Sequence, residues 1–74
     1  MIPEHVRDVV SSVSARHGVR PELVAGKFGS KPVYRARHEA IAILRAEGYT
    51  QGQLGRWFGI RQQSVSDLLK RAAQ

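Results

Sequence analysis

Apolar residues recur along this chain at helical spacing, with no run of strand-like alternation. Val6, Val9, Val10 and Val13 make one inward stripe and predict a helix from Pro3 to about His17. Valine is a poor helix former, so packing must hold this segment in place of propensity. Pro3 suits a first turn, where its missing N–H is no loss, and Gly18 stops the helix. A short second helix is expected from Pro21, with Leu23 and Val24 turned inward. The stretch Gly26-Lys-Phe-Gly-Ser-Lys-Pro32 reads as a loop, with Phe28 tucked into the core. Pro32 then opens the longest helix, to Glu47, closed by Gly48. Val33, Ala36, Ala40, Ile41 and Leu44 follow the rhythm of a buried face.

Residues 50–72 carry the most specific pattern. Thr50 with Gln53 spells a capping box, able to satisfy free amides at a helix start. Leu54 and Phe58 fall on one face of a short helix, with the small Gly55 between them. Gly59 follows, where a left-handed residue lets the chain turn sharply. Ile60 can bury that turn, and Val65, Leu68 and Leu69 stripe the next helix. Arg61, Gln62, Gln63, Ser64, Ser66 and Asp67 interleave, all able to hydrogen-bond outward. An ordinary helix pair with a solvated face would show some of this. Gly55, Gly59, Ile60, Val65 and Leu68 together favour a helix-turn-helix of the DNA-binding kind.

Seventy-four residues with no cysteine make one all-α domain of five helices. Its core must come from close aliphatic packing, without disulfide or thiolate-metal staples. The net charge of +6 is unevenly placed. Up to Val24, three bases balance three acids; from Ala25 onward nine bases face three acids. The excess therefore coincides with the helix-turn-helix, as phosphate contacts require. No apolar run approaches the ~20 residues of a membrane span, and no signal-peptide pattern opens the chain, which predicts a cytoplasmic, nucleoid-associated protein. Phe28 stands where a phosphate-binding loop needs Ser or Thr after Gly-Lys, so no nucleotide site is expected. His5, His17 and His38 lack metal spacing and a nucleophile partner, and Glu39 and Glu47 lie two turns apart. Neither a cofactor, a metal nor catalysis is expected.

From about Val6 to Ala73 the chain resembles the C-terminal DNA-binding domain (domain IV) of the bacterial replication initiator DnaA. One matching stretch is Val33-Tyr-Arg-Ala-Arg-His-Glu-Ala-Ile-Ala42, similar to that family's basic loop and central helix. The other is Phe58-Gly-Ile-Arg-Gln-Gln-Ser-Val65, similar to its signature Phe-Gly-Gly-Arg-Asp-His-Thr-Thr. The resemblance implies a compact five-helix bundle, akin also to the Trp-repressor fold, with the second helix of the pair in the major groove. It implies that Arg35 enters the minor groove. It also implies that Arg61, Gln62, Gln63 and Ser64 contact phosphate or read bases. Gln62 and Gln63 replace Asp-His and Ile60 replaces the second Gly, so recognition of the family's own DNA box is not implied. Glutamine can pair bidentately with adenine, whereas aspartate accepts from cytosine.

On this basis Gln62, Gln63, Ser66 and Arg35 are the candidate base readers. Lys27, Lys31, Arg37, Arg56, Arg61, Ser64 and Lys70 are the candidate backbone contacts. Arg35 and Arg37 are expected in the first turn of the long helix, where the helix dipole disfavours cations unless an anion compensates. Asp67 is expected to serve as a cap or ion-pair partner and not to read DNA. Trp57 either completes the core or anchors a partner, and Tyr34 either contacts sugar-phosphate or covers the long helix. The function these readings favour is sequence-specific binding of double-stranded DNA in a bacterial transcription regulator, like the DnaA-related activators of gene-transfer-agent and phage-type clusters. RNA polymerase or a second DNA-bound regulator would be the protein partner. Control of DnaA-type replication initiation is one alternative. A helix-turn-helix scaffold that has lost DNA binding and docks on protein is the other.

Overall fold

The computed structural model describes residues 2–26 and 29–72, the last by its backbone alone. Its five helices are α1 (Glu4–His17), α2 (Pro21–Val24), α3 (Lys31–Ala46), α4 (Gln51–Phe58) and α5 (Gln62–Ala72). None is long and apolar enough to cross a membrane, among the described residues. At 1.5 Å rise per residue, α3 is about 24 Å long. It therefore spans a molecule whose greatest extent is 27 Å, and the other helices pack around it. Val33, Ala36, Ala40, Ile41 and Leu44 of α3 are buried, as their spacing predicts. Of these, Ala36, Ala40, Ile41 and Leu44 join one core with Val6 and Val13 of α1, Val24 of α2, Leu54 and Phe58 of α4, and Val65 and Leu68 of α5. Val9 and Val10 pack at the margin of this core.

Helices α1 and α3 run in opposite directions and are laced along their edges. His5 Nε2 stands 2.8 Å from Glu47 Oε1, and His17 Nε2 2.9 Å from Glu39 Oε1. Arg16 joins Glu39 as well. These bonds, from the His17 ring first, and the nearby Arg16 charge hold the Glu39 carboxyl below its ordinary range, with partial desolvation working against them. Gly18 ends α1 in a left-handed conformation, as expected.

Three boundaries and one side chain depart from the sequence reading. Helix α1 begins at Glu4, with Pro3 as its extended N-cap and not in its first turn. Ser30 precedes the first turn of α3 and Pro32 lies inside it, so the helix begins one residue earlier and ends at Ala46. Leu23 does not turn inward: it is 52% exposed, whereas Val24 is fully buried. A helix of four residues can offer only one side to the core, and Val24 takes it. Phe28, expected in the core, lies outside the described residues.

The capping box and the left-handed turn of the α4–α5 pair take the form their sequence predicts. Thr50 Oγ1 accepts from the Gln53 amide at 3.1 Å, and Gln53 Oε1 accepts from the Thr50 amide at 2.9 Å. Gly59 closes α4 with φ of 69°. Gly55 has a different task, since a Cβ there would lie 2.9 Å from the Ile60 carbonyl oxygen and 3.2 Å from the Gln62 amide nitrogen. Only a residue without a side chain lets the connection fold back so closely over α4.

Candidate nucleic-acid interface

Helix α5 divides into faces that its burial pattern fixes. Val65 and Leu68 are buried and Leu69 is half-buried, so the inner face is apolar. At 3.6 residues per turn the opposite face carries Gln63, Asp67 and Lys70, all exposed. Gln62 and the half-buried Ser66 lie on the flank toward α4, where Gln62 Oε1 is 3.6 Å from the position of a Cβ on Gly52. Ser64 and Arg71 lie on the other flank, toward the start of α3. Gln62 thus points partly back over α4, and Gln63 is the glutamine aimed squarely outward.

Gln63 is also held. Its Nε2 donates to Asp67 Oδ1 at 3.2 Å, one helical turn on. A carboxylate can only accept, so the amide orientation is fixed by this bond. The second Nε2 hydrogen and the Oε1 acceptor remain to face outward. That is the donor–acceptor pair that matches adenine N7 and N6 in the major groove. The cap or ion-pair role expected of Asp67 is not seen among the described residues, where its carboxylate accepts from Gln63 instead.

The first turns of α3 come alongside α5. The Gly26 amide donates to the Phe58 carbonyl at 2.6 Å, which pins the chain entering the α2–α3 loop to the end of α4. Arg71 donates from a guanidinium nitrogen to Tyr34 Oη at 3.1 Å across the two helices. Lys31 and Arg35 are exposed on α3, Arg61 is exposed in the α4–α5 connection, and Arg56 is exposed on α4. Ser64, Arg61 and Arg71 line one cleft with Tyr34, whereas Arg56 stands apart from it. Lys27 lies outside the described residues.

Arg37 overturns its expected role as a backbone contact. It is only 3% exposed, and its Nε donates to the Val24 carbonyl at 2.6 Å and an Nη to the Leu23 carbonyl at 3.2 Å. These are last-turn carbonyls of α2, which have no partners within so short a helix. A fixed cation at a helix C-terminus satisfies them and suits the helix dipole. Burial lowers the guanidinium pKa from its ordinary value, and the nearby Tyr34 opposes that shift. Arg35 and Arg37 both lie beyond the first turn of α3, so the expected dipole penalty applies to neither.

Sequence reasoning missed Arg71, which the α3 flank of α5 brings into the basic cleft. The spacing Ser64, Asp67, Arg71 beside the apolar stripe was the available signal. Trp57 is half-buried and meets Tyr49 edge-to-face, with ring centroids 5.3 Å apart. It packs against the core while lining an open groove with Val6, Val10 and Pro21. The buried His38 Nε2 has no hydrogen-bond partner among the described residues. No cluster of three potential metal ligands occurs among them either. Compared with protein-family models, curated proteins and solved structures, the chain finds no match.

Proposed function

We propose that this chain binds double-stranded DNA in a sequence-specific way, with α4 and α5 as a helix-turn-helix and α5 in the major groove. The observation that carries the reading is the outer face of α5, where Gln63 is oriented by Asp67 on a helix anchored by its opposite side. An α-helix of about 10–12 Å diameter fits a groove about 12 Å wide, so its outer face meets bases and its flanks meet phosphates. In this reading Gln63 is the principal base reader, with Gln62 and Ser66 beside it. Arg35 approaches the neighbouring minor groove, where narrow A·T-rich tracts favour arginine. Lys31, Arg61, Ser64 and Lys70 fix the register on the backbone. Arg56, on α4, would meet backbone further from the recognition helix. The chain acts as a bacterial transcription regulator or a part of one, without a catalytic role.

Selection of duplexes from a random pool, followed by fluorescence anisotropy, tests this. An enriched motif should result, weakened at one discrete adenine by Gln63→Ala and in its A·T-rich flank by Arg35→Ala. Gln62→Ala should have the smaller effect of the two glutamine changes. Enrichment of the DnaA box itself would move the function to replication control. Weak, salt-sensitive binding that ignores all three substitutions would remove the sequence-specific reading.

A protein-docking role has one observation in its favour. The groove between α1, α2 and α4, of about 330 Å³, is walled by Val6, Val10, Pro21, Trp57 and Phe58. Among the described residues its lining includes none from α5, so a polymerase or second regulator could occupy it while DNA is bound.

A further inference from the structure

The cleft between the start of α3 and the inner flank of α5 has a volume of about 380 Å³ and is walled largely by arginine and hydroxyl groups. Arg61 lies at one end, Arg71 at the other, and Ser64 between them on α5. Tyr34 closes the α3 side, 39% exposed for so large a side chain. Its Oη accepts from Arg71, which leaves the phenolic proton free to be donated. Arg37 lines the same cleft with its guanidinium committed to the α2 carbonyls. Among the described residues Asp67 is the one carboxylate in the lining, and it accepts from Gln63 Nε2. Three guanidiniums against one carboxylate leave the cleft cationic, with two hydroxyl donors in its walls.

Such a site suits a singly charged tetrahedral anion. Guanidinium forks match phosphate oxygens, and hydroxyls complete the set. From this juxtaposition we infer that the α3–α5 cleft seats one backbone phosphodiester of the bound duplex, held by Arg71 and Arg61 with Tyr34 and Ser64 as hydroxyl donors. This rests on the DNA-binding reading and adds to it a specific phosphate and two residues, Arg71 and Tyr34, that hold it. Position supports it: the cleft runs along the flank of α5, where a major-groove helix meets the phosphate wall. The Arg71–Tyr34 bond is the unliganded arrangement. On binding, the phosphate replaces the phenol as the acceptor of Arg71 and receives the Tyr34 proton in a hydrogen bond.

The test uses the full chain and the duplex obtained by selection, with neutral methylphosphonate placed at one linkage at a time. For the unsubstituted protein, one linkage should weaken binding about tenfold, as loss of a charge-assisted hydrogen-bonded pair implies. Arg71→Ala should lose about as much on the unmodified duplex, be insensitive to that linkage, and lower the salt slope by about 0.9. Tyr34→Phe should cost about threefold through the lost donor. Arg71→Lys should retain the salt slope while losing part of the affinity. Arg71 is exposed, so these variants should keep the fold, which circular dichroism checks.

If the duplex is bound specifically but Arg71→Ala responds to every linkage as the unsubstituted protein does, the phosphate seat is wrong and the DNA reading survives. If no duplex is bound even at low salt, both fall together. Inorganic phosphate, titrated with NMR of the Tyr34 ring, separates a free anion from a strand. Saturation below millimolar concentration without coupling to any linkage would give the cleft to a small phosphate ester and overturn the inference.

Discussion

Adding one methyl group at Gly55 and one at Gly52 should move stability in opposite directions, although both lie in the same helix three residues apart. Alanine is favoured over glycine within a helix by up to about 1 kcal/mol, so propensity alone predicts a gain at both positions. At Gly52 the new Cβ meets only the Gln62 side-chain oxygen at 3.6 Å and the Thr50 hydroxyl at 3.9 Å, both ordinary contacts. Gly52→Ala should therefore stabilise by about 0.5–1 kcal/mol. At Gly55 the neighbours are backbone atoms: the Ile60 carbonyl oxygen at 2.9 Å and the Gln62 amide nitrogen at 3.2 Å. Neither can rotate away, so the connection between α4 and α5 must move outward by roughly half an ångström. Overpacking against fixed backbone belongs in the upper part of the usual range, about 2–3 kcal/mol, which exceeds the propensity gain and leaves a net loss of about 1–2 kcal/mol. For a domain of this size that is a fall in Tm of roughly 5–10 °C, against a rise of a few degrees for Gly52→Ala. Thermal unfolding followed by circular dichroism at 222 nm measures both. A Gly55→Ala protein as stable as the parent would refute the close approach of the connection to α4, and with it the seating of α5.

Arg37→Ala should cost about 2–3 kcal/mol in urea unfolding, because two α2 carbonyls lose their donor and a buried stem leaves a void. The salt slope of DNA binding should stay unchanged in that variant; a slope reduced by one phosphate would return Arg37 to the interface. Glu39 has a folded pKa below its unfolded value of about 4.3, so its contribution is complete above that pH and disappears as pH falls through the lower folded value. Partial exposure keeps it to about 1 kcal/mol or less, and Glu39→Gln should flatten stability between pH 5 and pH 3 by that amount, at roughly constant ionic strength. Asp67→Ala should relax the preference for adenine opposite Gln63 by roughly 1 kcal/mol in repeated duplex selection, while raising low-salt affinity a few-fold. An undiminished preference would show that Gln63 needs no orienting partner.

The helices were legible in the sequence because their signals are local. The capping box at Thr50 and Gln53, the left-handed Gly59 and the 3, 4 rhythm of α3 each lie within a few residues, and each takes the predicted form. What sequence could not place was set by packing between distant segments. Arg35 and Arg37 look alike in a basic stretch, yet one is exposed and the other is buried. Only the position of α2 over α3 decides between them, and α2 is a four-residue helix whose carbonyls need an outside donor. Leu23 failed for a related reason: periodicity over four residues cannot distinguish one inward side chain from two.

Helix α5 carries the same lesson into the proposed interface. Its residues differ in task by angle about the axis, and the angle becomes meaningful only once Val65 and Leu68 have fixed which side is inside. Gln62 and Gln63 then stop being equivalent. The first is turned toward the opening of α4, and the second lies opposite the core with its amide held by a carboxylate one turn away. Arg71 lies nine residues beyond Gln62 and outside any recognition signature, yet it shares a flank with Ser64 and reaches Tyr34, thirty-seven residues earlier. A buried stripe, a glycine without room for a side chain and one orienting hydrogen bond therefore do more to define the proposed DNA-facing surface than the number of basic residues does. In the proposed complex the charge supplies attraction, and these constraints decide which side chain would meet a base and which a phosphate.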